Sequence, residues 1–281
     1  MSGFTATWLT LREPCDHAAR SVELADRFAM AVGKAPRLLD LGCGTGSNLR
    51  YLAPCISGAQ RWLCLDHDPT LLEAARIALQ DWSDRHGWPS RGEGDGLMLA
   101  RPGGEILIRF AARDLARGGL PESGVVAGLS ASALLDLTSA AWLDEFAARW
   151  RRTPLLMALS FDGRLLFEPA ALEDDEVCRR FIAHQRTDKG FGPALGPDAA
   201  AHLAERLAAA GCAVMLEAAD WQLGADDPAL LRATLTGIAA SAREIAETSR
   251  LEHWATLRAR QLAAGELRLT VGHLDLLALP G

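Results

Sequence analysis

Lysine is almost missing from this sequence of 281 residues, which contains only Lys34 and Lys189 and otherwise carries its positive charge on arginine. Acidic residues outnumber basic residues by 36 to 29, and the formal net charge is -7. This balance gives no positive field to neutralise phosphates. We therefore expect no nucleic-acid or membrane partner, whereas a small-molecule ligand stays open.

The sequence also lacks paired cysteines, a secretory signal and a long apolar run. Its six cysteines are scattered, at positions 15, 43, 55, 64, 178 and 212. Without a C-x-x-C pair they fit neither a zinc site nor a disulfide-dense domain, so we expect reduced thiols and no metal. The most apolar stretch, 125–143, is interrupted by Asp136 and makes a poor membrane span. With no signal-like N-terminal pattern, we expect a cytoplasmic protein.

Short apolar runs alternate with helical patterns along the chain, which predicts a doubly wound α/β fold with a mostly parallel sheet. Seven strands are predicted, at 37–41, 62–66, 105–109, 125–129, 154–160, 212–218 and 267–277. Apolar residues at helical spacing predict helices at 69–82, 139–151 and 198–210. The turn ARPGGE at 100–105 predicts a small hairpin.

Besides the hairpin region at 86–104, three segments depart from this alternation. Residues 13–31 predict one amphipathic helix before the first strand, 161–197 contains a helix followed by HQRTDKGFGPALGP, and 227–264 contains two helices. Open α/β sheets bind ligands at the carboxyl ends of their strands. We therefore interpret residues 1–281 as one domain, with an N-terminal cap at 1–35 and the two later insertions covering the substrate.

A glycine-rich loop follows the first predicted strand, in DLGCGTG at 40–46. Gly42, Gly44 and Gly46 allow a ligand close to the backbone and permit positive φ angles. The P-loop lysine is missing, and Asn48 stands near where it would be sought, which disfavours a nucleoside triphosphate. The dinucleotide pattern needs glycine at Ser47, which weakens the case for a nicotinamide cofactor without excluding it.

Three acids lie at the ends of successive predicted strands. Asp40 precedes the glycine loop and suits a ligand that carries positive charge. Asp66 lies about twenty residues past the loop, where an acid accepts hydrogen bonds from ribose hydroxyls. Asp68 is the alternative residue for this contact. Asp114 follows the third strand, where a carboxylate can accept a bond from an adenine amino group. Together the three acids describe an adenosine with a cationic tail.

Through DLGCGTG (40–46), LDHDP (65–69), ARDL (112–115) and VVAGLSASALLDL (125–137), the sequence resembles the class I S-adenosylmethionine-dependent methyltransferases. The resemblance implies a seven-stranded sheet whose last strand is antiparallel and inserted between its neighbours, with S-adenosyl-L-methionine as cofactor. It also implies that the loop contacts the amino acid part of the cofactor, while the later acids contact ribose and adenine. The predicted cofactor-binding residues are Asp40, Gly42, Cys43, Gly44, Gly46, Asp66, His67, Asp114, Leu115 and Ser130. For His67, a surface position beside Asp66 is the alternative.

The methyl acceptor is constrained mainly by missing motifs. The fourth strand ends in LSASALLD, without the Asn/Asp-Pro-Pro-aromatic pattern of methyltransferases that act on adenine, cytosine or glutamine amides. The lysines expected of ribose 2′-O-methyltransferases are nearly absent. With the acidic charge, this favours O- or N-methylation of a small molecule by a monomer or homodimer. A base is needed only if the attacked atom carries a proton.

The candidate catalytic residues are His184, Lys189 and Asp136. His184 is the first choice for a base, and the ammonium of Lys189 suits an acceptor carboxylate or phosphate. Asp136 suits an acceptor amine or hydroxyl, with capping or a buried hydrogen bond as alternatives. The segment 184–197 resembles a mobile lid, with a solvated loop as the alternative. On the N-terminal helix Arg12, Asp16 and Arg20 are candidates, with a surface row of salt bridges as the alternative.

Two other functions remain open. One is a non-catalytic, cofactor-binding regulatory subunit of the same fold, which the intact loop and its three acids disfavour. The other is a nicotinamide-dependent oxidoreductase, which Ser47 and Asp40 disfavour.

Overall fold

The computed structural model describes residues 4–120, 122 and 126–281, in which helices flank both faces of one mixed sheet. The strands are β1 Arg37–Leu41, β2 Gln60–Asp66, β3 Ser90–Glu93, β4 Gly96–Arg101, β5 Gly104–Ala112, β6 Gly128–Ser132, β7 Leu155–Glu168, β8 Ala213–Ala218, β9 Trp221–Leu223 and β10 Arg268–Leu279. The helices are α1 Ala6–Ala19, α2 Val22–Val32, α3 Ser47–Leu52, α4 Pro69–Arg85, α5 Ala140–Trp150, α6 Asp174–Gln185, α7 Ala199–Ala209, α8 Pro228–Ile245 and α9 Ser249–Ala263.

The strand order is β3-β4-β5-β2-β1-β6-β7-β10-β8, and β9 pairs with β10. The strands from β5 through β2, β1 and β6 to β7 are parallel. The last strand, β10, lies antiparallel between β7 and β8. The mostly parallel α/β fold and the inserted antiparallel last strand are therefore as expected from the sequence.

The expected number of seven strands is wrong, because the described residues form ten. β4 pairs with β5 across the predicted hairpin turn, and β3 extends that hairpin at the edge of the sheet. β3 has the polar sequence SRGE and β9 has three residues, so neither shows an apolar run in the sequence. The predicted fourth strand begins at residue 125, which lies outside the described residues, and β6 begins at Gly128.

The single helix predicted at 13–31 is also wrong, since α1 and α2 are separate helices. The chain is extended at Arg20, and the side chain of Ser21 accepts a hydrogen bond from the backbone N–H of Leu24 as the N-cap of α2. The N–H of Ser21 donates to Oδ2 of Asp275 on β10, at 3.0 Å. This break depends on a partner 254 residues away, which no local pattern shows.

The fifth predicted strand continues further than expected, so the insertion that was predicted from residue 161 begins as part of β7. β7 and β10 pair as far as Glu168 and Arg268. β9 pairs with residues 269–271, near the N-terminal end of β10. α6, α8 and α9 pack on this antiparallel arm around Phe161, Trp221 and Trp254. The two helices predicted within 227–264 are confirmed as α8 and α9.

The crossover helices form for local reasons, as α5 illustrates. The side chain of Ser139 accepts from the N–H of Trp142 at 3.3 Å and caps the helix. Leu143, Phe146 and Trp150 then recur at helical spacing and are buried against the sheet. α7 packs on the same face, whereas α2, α3 and α4 cover the other.

Asp275 of β10 should be a major determinant of stability. Its carboxylate is fully buried and accepts from the N–H of Ser21 at 3.0 Å, the N–H of Leu159 at 2.8 Å and Nε of Arg20 at 3.3 Å. Asp275→Ala removes all three bonds and leaves Arg20 buried without its counter-ion. We expect a loss of about 3 to 5 kcal/mol in the free energy of unfolding, measured by urea denaturation. Asp81→Ala, on the exposed face of α4, is the control, and an equal loss in both variants would contradict this role.

Candidate functional site

The glycine loop lies at the carboxyl end of β1, between β2 and β6. Gly42, Gly44 and Gly46 have φ angles of +60°, +52° and +78°. Residues that carry a Cβ rarely adopt such positive φ angles. The N–H of Cys43 donates to the carbonyl of Leu65 at 2.9 Å and fixes the loop against β2. Because the side chain of Cys43 lies in the core, this residue offers only its backbone to a ligand.

A buried network connects Asp40 to three other elements. Oδ1 of Asp40 accepts from Nδ2 of Asn48 at 2.6 Å and from Oγ of Ser130 at 3.1 Å. Oδ1 of Asn48 accepts in turn from Nη1 of Arg20 at 3.0 Å. Burial raises the pKa of Asp40 to about 7, although the bonds from Asn48 and Ser130 act in the opposite direction. The carboxylate of Asp40 is thus held in place through Oδ1, but its hydrogen bonds do not offset the cost of burying its charge.

Three buried polar atoms beside the loop have no hydrogen-bond partner among the described residues: Oδ2 of Asp40, Nη2 of Arg20 and Oγ1 of Thr45. A buried polar atom without a partner costs about 1 to 3 kcal/mol, and more when it is charged. A carboxylate oxygen and a guanidinium nitrogen have the charges that the ammonium and carboxylate of an amino acid require. The loop region therefore fits the amino acid part of S-adenosylmethionine.

Asp66 lies at the end of β2 and is nearly buried. Its Oδ2 accepts from the N–H of Gly44 at 2.9 Å, and its Oδ1 accepts from the N–H of Asp68 at 3.0 Å. A carboxylate oxygen can accept two hydrogen bonds, so among the described residues Oδ2 keeps a second site for a ribose hydroxyl. Asp68 instead caps α4 through the N–H of Thr70, at 2.8 Å. The ring of His67 is exposed, with Nδ1 at 3.3 Å from Oδ1 of Asp66.

Asp114 and Leu115 lie just beyond the carboxyl end of β5. The side chain of Asp114 is exposed and accepts from the N–H of Ala116 at 3.0 Å, which caps a single turn of 3-10 helix. The side chain of Leu115 is buried, and its carbonyl accepts from Nε1 of Trp142 at 3.0 Å. Asp114 therefore keeps an accessible carboxylate beside an apolar residue, as an adenine ring requires.

Helix α1 lies across the glycine loop. Cδ1 of Leu9 is 2.9 Å from the position that a Cβ at Gly44 would take. Two polar contacts hold the helix there, Glu13 with Arg50 and His17 with Ser47. Because the atom above Gly44 is the end of a rotatable side chain, a rotamer change of Leu9 opens space over the loop without moving the backbone.

Asp136 lies on a 3-10 turn just after β6, and its Oδ1 is a further buried atom without a partner in the described part of the chain. Burial raises the pKa of Asp136 to about 6, and the charges of Arg12 and Lys189 act in the opposite direction. Nearby, Cδ1 of Leu134 lies 3.4 Å from the position of a Cβ at Gly42. Within the described residues, Asp136 is thus a carboxylate with an unpartnered oxygen, two residues past a leucine that lies beside the glycine loop.

His184 and Lys189 lie together, but they interact mainly with each other. Nε2 of His184 is 3.1 Å from Oε2 of Glu244, and its Nδ1 is 3.3 Å from Nζ of Lys189. Both ring nitrogens therefore have partners. Burial lowers the pKa of Lys189, whereas the charges of Glu244 and Asp136 raise it. The structure thus brings Lys189 near Asp136 and gives His184 a position beside Lys189.

The segment 184–197 is tied by several contacts. Oδ1 of Asp188 accepts from the N–H groups of Gly190 at 2.7 Å and Gly192 at 3.0 Å. The N–H of Leu195 donates to the carbonyl of Thr138 at 2.9 Å, which connects the segment to the turn that carries Asp136. This ordering stabilises the position of Lys189 relative to Asp136.

Arg12, Asp16 and Arg20 are buried, so the alternative of a surface row of salt bridges is wrong. Nε of Arg12 donates to Oδ2 of Asp16 at 2.8 Å and Nη2 of Arg12 donates to Oδ1 at 3.1 Å, while Nε1 of Trp221 donates to the same Oδ1 at 3.0 Å. The residues predicted for the site do not include three that the structure buries beside it, Asn48, His273 and Asp275. A signal for the last two exists, since they are polar residues at alternate positions in the apolar strand VGHLDLLAL.

The described residues contain neither a metal cluster nor a disulfide. No group of three or more His, Cys, Asp or Glu side chains is placed to hold a metal ion. All six cysteines are free thiols. No helix in this part of the chain combines the length and apolar character needed to cross a bilayer.

Numerous solved structures are similar to this chain, although no protein-family model and no curated protein matches the sequence. A Bacillus halodurans protein described as a "putative methyltransferase" has 13% identity and a TM-score of 0.50, covering 93% of this chain and 100% of its own. YcgJ of Bacillus subtilis has 11% identity and a TM-score of 0.48, over 92% and 98% of the two chains. Geranyl diphosphate C-methyltransferase from Streptomyces coelicolor, solved with Mg²⁺, geranyl diphosphate and S-adenosyl-L-homocysteine, has 11% identity and a TM-score of 0.43, over 90% and 78%. The first of these likenesses shows that the chain has the fold of the Bacillus halodurans protein.

The raised pKa of Asp40 predicts a pH-dependent stability difference between the protein and Asp40→Asn. The folded state binds the proton of Asp40 more tightly than the unfolded state, so its favourable contribution is complete below about pH 4 and is lost as the pH rises through about 7. Asn keeps the acceptor for Asn48 and carries no charge. Asp40→Asn should therefore gain stability relative to the parent from pH 5 to pH 8, on the order of a few kcal/mol.

Urea denaturation at both pH values measures this difference. Asp81→Asn, on the exposed face of α4, is the matched control. A stability difference for Asp40→Asn that is the same at pH 5 and pH 8 would contradict the raised pKa.

Proposed function

We propose that this chain is an S-adenosylmethionine-dependent methyltransferase of class I that acts on a small-molecule acceptor. The observation that supports this most strongly is the set of unpartnered buried atoms on Asp40, Arg20 and Thr45 beside a loop of three positive-φ glycines. A carboxylate and a guanidinium at one loop match a zwitterionic amino acid and do not match a pyrophosphate. The fold shared with the Bacillus halodurans protein is consistent with this function.

Each part of the cofactor has a residue to hold it in this proposal. Asp40 pairs with the ammonium and Arg20 with the carboxylate, while the loop backbone at Gly42, Gly44 and Gly46 allows close approach. Asp66 accepts from the ribose hydroxyls. At the other end of the site, Asp114 and Leu115 contact the adenine, with the side chain of Asp114 accepting from its amino group.

When bound, the cofactor supplies a methyl group on a sulfonium, which needs an aligned acceptor in a water-free space. Helix α1 closes the loop and excludes water. Asp136 is mostly ionised at neutral pH, because its pKa is about 6, and its free Oδ1 accepts a proton from an acceptor hydroxyl or amine. Lys189 stabilises the carboxylate form of Asp136, and His184 holds Lys189 in place rather than acting as the base.

The acceptor is a small molecule under a cover formed by α1 and α2 together with the segments 161–197 and 227–264. All of these elements belong to one domain in this proposal. The net charge of -7 does not favour a polyanionic acceptor such as RNA or DNA. We place the enzyme in the cytoplasm, as a monomer or homodimer.

Binding measurements with two ligands separate the proposed roles of Asp40 and Asp66. S-adenosylhomocysteine has an adenosine and an amino acid part, whereas 5′-methylthioadenosine lacks the amino acid part. Asp66→Ala should weaken both ligands by roughly 10- to 150-fold, since a hydrogen bond to a charged group is worth about 1.5 to 3 kcal/mol. Asp40→Asn should weaken S-adenosylhomocysteine alone. Isothermal titration calorimetry measures all four affinities.

The control for these titrations is Asp81→Ala, which should bind both ligands like the parent protein. No binding of S-adenosylhomocysteine by folded parent protein would refute the proposed function. Unchanged affinities in Asp66→Ala would move the ribose contact to another residue.

The role of Asp136 predicts a change in the pH dependence of methyl transfer. With any acceptor found by screening for S-adenosylhomocysteine release, the parent rate should fall below about pH 6, where Asp136 becomes protonated. Asp136→Asn should lower kcat roughly 10²- to 10⁴-fold and abolish this acidic limb. With kcat measured at saturating S-adenosylmethionine, so that protonation of Asp40 does not limit cofactor binding, a variant that keeps the limb would show that another group accepts the proton.

A further inference from the structure

His273 is a buried histidine to which the proposed function gives no task. It lies on β10 with 5% of its surface exposed, and its Nδ1 has no hydrogen-bond partner within the described residues. Burial, and then the charge of Arg12, lowers the pKa of His273 to about 3, although the Val271 carbonyl acts in the other direction. The ring is therefore neutral and offers one unused hydrogen-bonding atom.

The register of the sheet places His273 at the same edge as the glycine loop. β10 is antiparallel, and His273 pairs with Phe161 of β7. Phe161 is three residues past Ala158, which pairs with Ser132, the last residue of β6. His273 thus lies two strands away from β6, at a level just beyond the carboxyl end of that strand. It is on the side of the sheet edge that α1 covers.

Aromatic side chains surround His273 on this side. The ring of Trp221 is centred 5.2 Å and that of Phe161 6.4 Å from the imidazole. Trp8 of α1 lies 6.4 Å from Trp221, and Phe181 of α6 lies 5.4 Å from Phe161. A lining of aromatic rings with few polar atoms is typical of sites for apolar small molecules.

The charges that face His273 are already paired. Arg12 of α1 makes two hydrogen bonds to Asp16, at 2.8 and 3.1 Å. On the strand side, Arg164 makes two bonds to Asp220, at 3.0 and 2.7 Å. A charged ligand would find no counter-ion here without breaking one of these pairs, and desolvating a charge without a partner is unfavourable.

We infer that the acceptor lies between α1 and the arm of β7, β9 and β10, and that it is an uncharged, largely apolar molecule whose hydroxyl bonds Nδ1 of His273. This inference rests on the proposed function, because it assigns a binding region to the second substrate, the methyl acceptor. A hydroxyl both donates and accepts, so it satisfies either neutral tautomer of the ring. Arg12 connects this region to the cofactor side, because its guanidinium lies 4.8 Å from the centre of the Trp221 ring and its charge acts on Asp136.

Two probes of matched size test the inference. 1-Naphthol is uncharged and carries a hydroxyl, whereas 1-naphthoate carries a charge. Their affinities for the full chain are measured by ligand-observed NMR with and without S-adenosylhomocysteine. We expect 1-naphthol to bind at least roughly tenfold more tightly than 1-naphthoate. Only the carboxylate of 1-naphthoate must give up the hydration of a full charge when it binds.

Variants at His273 test its hydrogen bond. His273→Phe keeps an aromatic ring and should weaken 1-naphthol roughly three- to tenfold, whereas His273→Asn keeps a polar atom and should recover part of the loss. His253→Phe, on the exposed face of α9, is the matched control. Thermal melting confirms that each variant is folded.

The inference would be overturned by equal affinity for the two probes, by absence of 1-naphthol binding to the parent protein, or by unchanged 1-naphthol affinity in His273→Phe. Failure of the proposed function has a different signature, since S-adenosylhomocysteine would then not bind in the calorimeter, whatever the naphthol result.

Discussion

A chain of buried hydrogen bonds through Arg20 holds the first and last strands of this protein in a fixed relation to the N-terminal helices. Arg20 donates to Asp275 of β10 and to Asn48 of α3, and Asn48 donates to Asp40 of β1. The placement of α1 and α2 on the sheet depends on this chain, because a buried guanidinium that has lost its buried carboxylate partner is strongly destabilising. It sets where α1 ends, and therefore where α1 crosses the glycine loop.

The same chain explains why the candidate site combines rigidity with unused polar atoms. Oδ2 of Asp40 and Nη2 of Arg20 have no partners in the described structure, although their neighbouring atoms are bonded. A site that holds opposite charges in place before a ligand arrives needs little reorganisation to bind a zwitterion. The pairs Arg12–Asp16 and Arg164–Asp220 are complete, which suits the uncharged second ligand that we infer.

The sequence predicted much of the fold and the carboxylates at the carboxyl ends of β1 and β2, and it predicted less of the surroundings of Asp136, His184 and Lys189. Local signals predicted the crossover helices, the hairpin turn and the order of the acids. These signals are the helix caps, the glycines and the regular spacing of apolar residues. β3 and β9 were missed because they are short and carry no apolar run. His184 looked like a base because it stands in an unusual segment, yet in the structure both its nitrogens are taken by Glu244 and Lys189.

The sequence alone determined the alternation of strands and helices, the positive-φ glycines and the acids at strand ends, because each of these follows from residues a few positions apart. Only the tertiary structure decided where α1 ends, which carboxylates keep a free oxygen, and that His273 faces α1 among aromatic rings. These features depend on partners up to 255 residues apart, as between Arg20 and Asp275. Burial and pairing of a polar group are properties of its surroundings, and residues distant in the sequence supply those surroundings.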